Sequence, residues 1–133
     1  MKTIRIAAAI IRDETGRFLL VRKRGTMAFM QPGGKIDGGE EPPQCLVREL
    51  KEELGMEIAP EDARFAASMS APAAHEEGAT VEAELYHVLL GETQHPMPAS
   101  EIEEIAWHDP ADRQRPLALL TRDIVSRFGA SVA

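Results

Sequence analysis

The sequence predicts one mixed domain of strands and helices. Three observations carry that reading. Apolar runs of strand length are separated by polar turns, two stretches show the spacing of amphipathic helices, and the two kinds of element do not alternate in the regular order of a doubly wound sheet. A length of 133 residues matches a single domain over 1–133. Hydrophobic residues at 44% and charged residues at 28% are ordinary for a globular chain, and no segment has the bias of a disordered tail.

Taken in order, "IRIAAAII", the polar "RDETG" and "RFLLVRKR" read as two strands joined at Gly16, a hairpin or a neighbouring pair. The apolar run Ile6 to Ile11 is short and ends in charge, so it reads as a strand and not a leader. Nothing approaches the ~20 apolar residues of a membrane span. Residues 25 to 41 are too rich in glycine for a regular element and predict a structured loop. Pro42 and Pro43 suit a first helical turn and Gly55 the position past the last one, which places a helix over 42–54. "ARFAASMSA" and "TVEAELYHVLL" alternate like strands, "EIEEIAWHD" holds a short strand ending near Trp107, and "RPLALLTRDIVSRF" has helical periodicity.

Charge narrows the partners. With 15 basic and 22 acidic residues the net charge is -7, which disfavours polymeric nucleic acid. A small phosphorylated ligand stays open, because a divalent cation bridges phosphate and carboxylate oxygens. The single cysteine, Cys45, forms no intrachain disulfide and fits a reducing compartment, with the cytoplasm as the default.

The helix at 42–54 is the informative element. At ~100° per residue, Glu52 and Glu53 lie about 60° and 40° to either side of Glu49, so three carboxylates share one face. Leu46, Leu50, Leu54 and Val47 form an apolar arc roughly 100° away. Glu40, in the loop before the helix, is placed to fold back toward the acidic ridge. Like charges at this spacing repel. A solvated acidic face is the plain alternative, but the basic residues Lys51 and Arg48 lie off the ridge or at its edge, and a glycine loop leads straight into it. Clustered hard oxygens suit Mg²⁺ or Mn²⁺.

Gly34, Glu40, Arg48, Glu49, Leu50, Glu52, Glu53, Gly55 and Met56 match GX5EX7REUXEEXGU, U being a bulky aliphatic residue, without a gap over 34–56. In this the chain resembles the Nudix hydrolases. The flanking "QPGGK", the N-terminal strand pair and "EIEEIAWHDPAD" are similar to the small, MutT-like members that act on nucleoside triphosphates. The resemblance implies an α/β fold, an α/β/α sandwich around a mixed sheet, where periodicity alone indicates α+β. It implies that Glu49, Glu52 and Glu53 bind Mg²⁺ or Mn²⁺, that Glu40 assists, that Arg48 orients a glutamate, and that Gly33 and Gly34 position the loop. Gln31 departs from the apolar residue usual before Pro-Gly-Gly, and Glu41 from the usual Ser or Thr cap.

Outside the motif, the family often recruits a later glutamate, and Glu101 is the first candidate ahead of Glu103 and Glu104. Arg22, Lys23 and Arg24 end the second strand beside the glycine loop and are candidates for phosphate or sugar contact, with a solvated strand end as the alternative; Lys23 aligns with a substrate-contacting arginine of relatives. Phe29, Met27 and Met30 are candidates for a base pocket, with core packing as the alternative. Trp107 reads first as a buried anchor, His75 as a loop residue, and Cys45 as an idle thiol. The implied activity is metal-dependent cleavage of a nucleoside triphosphate, oxidised ones among them, to monophosphate and pyrophosphate. The alternatives are a hydrolase of diphosphate-linked compounds such as nucleotide sugars, and a non-catalytic nucleotide sensor. A homodimer is compatible with the resemblance.

Overall fold

The computed structural model describes residues 2–73, 76–91 and 94–129. Strand β1 (Lys2–Ile10) is followed by β2 (Phe18–Lys23), β3 (Gly33–Lys35) and helix α1 (Pro42–Leu54). A 3-10 turn (Pro60–Asp62) then leads to β4 (Ala63–Pro72), β5 (Ala79–Val88), β6 (Ile102–His108) and helix α2 (Leu119–Gly129). Four strands form a mixed sheet in the order β3-β1-β5-β4, with β1 parallel to β5 and the other pairs antiparallel. Strands β2 and β6 form a separate antiparallel ribbon.

The uninterrupted apolar run of β1 is buried on both faces. Successive side chains of a strand point to opposite sides. Ala7 and Ala9 pack with Leu46, Leu50 and Leu54 of α1, while Ala8 and Ile10 pack with Leu120, Ile124 and Val125 of α2. β2 divides the same way, Leu19 and Val21 toward α1 and Phe18 and Leu20 toward α2. Strand layers between two helices give the α/β/α sandwich implied by the family resemblance.

Several local expectations are corrected. β1 and β2 do not form a hairpin: β5 occupies one edge of β1 and β3 the other, so β2 pairs with β6 instead. Only the connecting segment keeps a short contact, Leu19 N–H to the Ile11 carbonyl at 2.8 Å. The glycine loop contains β3, because Gly33 at φ 141 brings its backbone against Ala7 and Ala8, where any Cβ would overlap them. Helix α2 starts at Leu119 and not nearer Arg115, since Phe29 exchanges backbone hydrogen bonds with Pro116 and Ala118 and keeps that segment extended. On α1, Cys45 is fully buried where Val47 was expected to be, and Val47 is half-buried.

The ends of α1 follow the sequence. Glu41 is the N-cap, and Gln44 accepts its backbone N–H at 3.0 Å, a substitute for part of what Ser or Thr provides. Gly55 closes the helix in the left-handed region at φ 67, and Met56 returns to the core.

Candidate active site

Burial of Leu46, Leu50 and Leu54 sets the rotation of α1, and that rotation grades the three carboxylates. Glu53, three residues from Leu50, is drawn inward to 2% exposure. Glu49 is half-buried and Glu52 is exposed. Gly33 N–H donates to Glu53 Oε1 at 3.0 Å, so the strand that approaches β1 so closely also anchors the deepest carboxylate. A Cβ on Gly34 would overlap the Glu49 carboxylate. Gly33 and Gly34 thus both sit at close approaches, Gly33 against backbone and Gly34 against the movable end of Glu49.

Arg48 organises the outer half. Its guanidinium donates to both oxygens of Glu40, at 2.9 and 3.0 Å, and to Glu49 Oε1 at 2.8 Å. Longer ion pairs reach Asp37 at 3.4 Å and Glu52 at 3.7 Å. Glu40 therefore folds back onto the helix as expected, with its carboxylate held by arginine.

The titration of these groups follows from their surroundings. Hydrogen bonds from Arg48, then the Asp37 N–H, hold Glu40 down at about 2. Burial pushes Glu49 up, partly offset by Arg48. Burial pushes Glu53 up to about 8; the Gly33 N–H opposes this, and the charges of Glu49 and Glu101 reinforce it. Cys45 is raised to about 11 by burial and by Glu40, so it stays an unreactive thiol.

Among the described residues no three His, Cys, Asp or Glu side chains are already placed together to hold a metal ion. Arg48 holds Glu40 and one oxygen of Glu49, and Gly33 holds one oxygen of Glu53. The donor set still suits a hard divalent cation. Arg48 pairs with Glu49 and Glu52, and Lys23 acts at longer range on Glu49 and Glu53, but burial still disfavours the Glu53 anion, a cost that incoming positive charge counters.

The late glutamate is brought in by backbone bonds. Met97 and Ala99 donate to the carbonyls of Leu54 and Glu53, Ser100 turns the chain at φ 57, and Arg24 N–H donates to the Glu101 carbonyl. Glu101 then pairs with Lys23 at 3.4 Å and acts electrostatically on Glu53. Glu103 and Glu104 are instead paired with Arg24 and Arg22 along the β2–β6 ribbon.

Beside the carboxylates lies a cleft of about 280 Å³ lined by Lys23, Met30, Gln31, Gly33, Gly34, Lys35, Glu76 and Leu119 and by Ile4, Ile6 and Val81 of the sheet. Lys23 enters the cleft lining; Arg22 and Arg24 do not. Phe29 is corrected as a stacking candidate, because it is 8% exposed in the α2-side core with the Arg115 guanidinium 5.3 Å from its ring centroid. Met30 lines the cleft, Met27 is exposed, and Trp107 packs against the α1-side core. His75 lies outside the described residues. A larger cavity of about 660 Å³ is lined by His108, Arg113, Arg115 and Arg122; neither cavity has a ridge carboxylate in its lining, but the smaller one shares Gly33 and Gly34 with Glu53 and Glu49, so proximity to the ridge and not cavity size locates the site.

Sequence reasoning missed Thr121. It is fully buried on α2 and donates to Gln31 Oε1 at 2.6 Å. The available signal was a lone hydroxyl on the otherwise apolar face of Leu120, Ile124 and Val125.

Comparison with known proteins agrees with this architecture. The family profile described as NUDIX domain matches residues 2–128. An 8-oxo-dGTP diphosphatase of Haemophilus influenzae is 48% identical over 59 residues, which span 41% of this chain and 43% of that protein. A CTP pyrophosphohydrolase of Escherichia coli is 43% identical over 63 residues, 43% of this chain and 44% of that protein. These matches therefore span less than half the length of the curated relatives. The solution structure of the ORF135 protein of E. coli is 30% identical, covers 98% of this chain and 91% of that one, and has a TM-score of 0.74. Among the described residues no helix is long and apolar enough to cross a membrane.

Proposed function

The chain belongs to the Nudix family, and from that premise we propose that it hydrolyses nucleoside triphosphates, oxidised ones among them, to monophosphate and pyrophosphate with Mg²⁺ or Mn²⁺. The carrying observation is the buried Glu53 carboxylate, anchored by Gly33 beside Glu49 at the edge of a cleft that also exposes Lys23. Glu49, Glu52 and Glu53 hold the cation, with Glu40 bound through Arg48 as the brace that keeps Glu49 in place. The bound ion supplies positive charge to the diphosphate oxygens and acidifies water.

The remaining work belongs to side chains of this chain. Lys23 meets phosphate charge, and the mostly apolar cleft takes the base. Glu101, next to Lys23, accepts the proton of the attacking water. Water oxygen bonds to the β-phosphorus, the bond to the bridging oxygen breaks, and the monophosphate leaves.

One assay tests this reading. Purified protein with Mg²⁺ is offered nucleoside triphosphates, nucleotide sugars and dinucleoside polyphosphates, and reactions in ¹⁸O-water are analysed by mass. Triphosphate turnover with label in pyrophosphate is expected. Label in the monophosphate moves the attack to the α-phosphorus, and efficient nucleotide-sugar cleavage with triphosphates untouched overturns the substrate class.

A further inference from the structure

We propose that Gln31 selects the nucleobase, favouring a ring that presents a carbonyl over one that presents an amino group at the same position. The inference rests on reading the cleft as the nucleotide site. Gln31 directly precedes Pro32 and β3, and lines the cleft with Lys23, Met30 and Leu119. Its amide is oriented from behind. Thr121 Oγ1 donates to Gln31 Oε1 at 2.6 Å, and Thr121 is 0% exposed, so its hydroxyl cannot exchange this acceptor for solvent.

Thr121 takes one lone pair of Oε1 and so fixes which end of the amide faces α2; the end turned away from Thr121 is the amino group, a donor only. The cleft around it is mostly apolar, with Ile4, Ile6, Met30 and Val81 in its lining; its charged residues are Lys23, Lys35 and Glu76, the last paired with Lys2 at 2.7 Å. A donor in such surroundings rewards a ligand acceptor and penalises a ligand donor, because the second leaves both N–H groups unpaired. Inosine against adenosine, and uridine against cytidine, exchange a carbonyl for an amino group with little change of shape. The same chemistry distinguishes guanine from adenine.

The test measures kcat/KM for ITP against ATP and for UTP against CTP, using the full chain with Mg²⁺. In the pair turned over faster, the carbonyl member is expected to lead by about tenfold, the net worth of one hydrogen bond. Gln31→Glu keeps an acceptor for Thr121 but replaces the free donor by a second acceptor, so the preference should reverse. Thr121→Val releases the amide and should bring the ratio toward one, and Thr121→Ser should restore it. A purely structural role would lower both members of a pair equally. Parity in the wild type, or a ratio unmoved by Gln31→Glu, overturns the inference. If no triphosphate is hydrolysed, calorimetric titration with IMP and AMP replaces the rates. Tighter IMP binding that reverses in Gln31→Glu upholds the base selection while the hydrolytic reading falls, and equal binding or none overturns the selection as well.

Discussion

A carboxylate 2% exposed, with one backbone N–H as partner, resists ionisation until positive charge reaches it. For Glu53 this has two consequences. Glu53→Gln keeps the size and removes the charge, so kcat at saturating Mg²⁺ is expected to fall at least ~10²-fold in steady-state assays. The second consequence concerns stability without metal. The folded value of about 8 lies above the ordinary carboxyl range, so the folded state retains a proton that the unfolded chain releases near ~4.3. The contribution is complete below that lower value and is lost as pH rises through the folded one. In EDTA, the thermal midpoint of the wild type should decline between pH 5 and pH 8.5 relative to Glu53→Gln; parallel pH profiles would contradict the buried-acid account. Glu101 is tested by contrast with its neighbour. Glu101→Gln should lower kcat clearly, whereas Glu103→Gln, whose partner is Arg24 on the ribbon, should change it little. Equal small effects would return Glu101 to the surface.

Between elements, the contact of β3 with α1 and β1 joins fold to site. The two adjacent glycines of β3 face different obstacles and so should fail differently. A Cβ at Gly34 meets the flexible end of Glu49, which can swing aside, so Gly34→Ala should keep the fold and lose activity about tenfold or more by displacing that carboxylate. A Cβ at Gly33 meets backbone of Ala7 and Ala8, and its φ of 141 is one that side chains rarely tolerate. Gly33→Ala should therefore destabilise the protein by about 1–3 kcal/mol or more, seen as a lower midpoint in urea or heat. Similar behaviour of the two variants would show that β3 serves only to pair with β1.

For the whole molecule, a net charge of -7 and an acidic ridge with one arginine brace describe a protein that needs cations where it meets phosphate. Chelation is expected to abolish turnover, and Mg²⁺ or Mn²⁺ to restore it. Full activity in thoroughly metal-stripped protein would remove the ridge from the mechanism. Position relative to the ridge separates the two cavities. The larger, lined by Arg113, Arg115 and Arg122, lacks the ridge carboxylates, whereas the smaller adjoins Glu53 through Gly33.

Read alone, the sequence determined what is local or periodic. The helix over 42–54 was legible because Pro42 and Gly55 punctuate it and Leu46, Leu50 and Leu54 repeat at helical spacing. The carboxylates of Glu49, Glu52 and Glu53 share a side for the same reason, and the spacing from Gly34 to Met56 led to the family. What tertiary structure decided depends on partners far apart in the chain. Strand β2 left β1 for β6 because both edges of β1 were taken by β3 and β5. Phe29 entered the core because residues 116–118 pair with it, and Thr121 found Gln31 across 90 residues of sequence. Glu53, and not Glu49 or Glu52, became the buried acid because the packed leucines set the rotation of α1 and Gly33 lay where that rotation pointed. Spacing places side chains on a face; only packing against the rest of the molecule assigns each a depth, and depth sets the charge it carries.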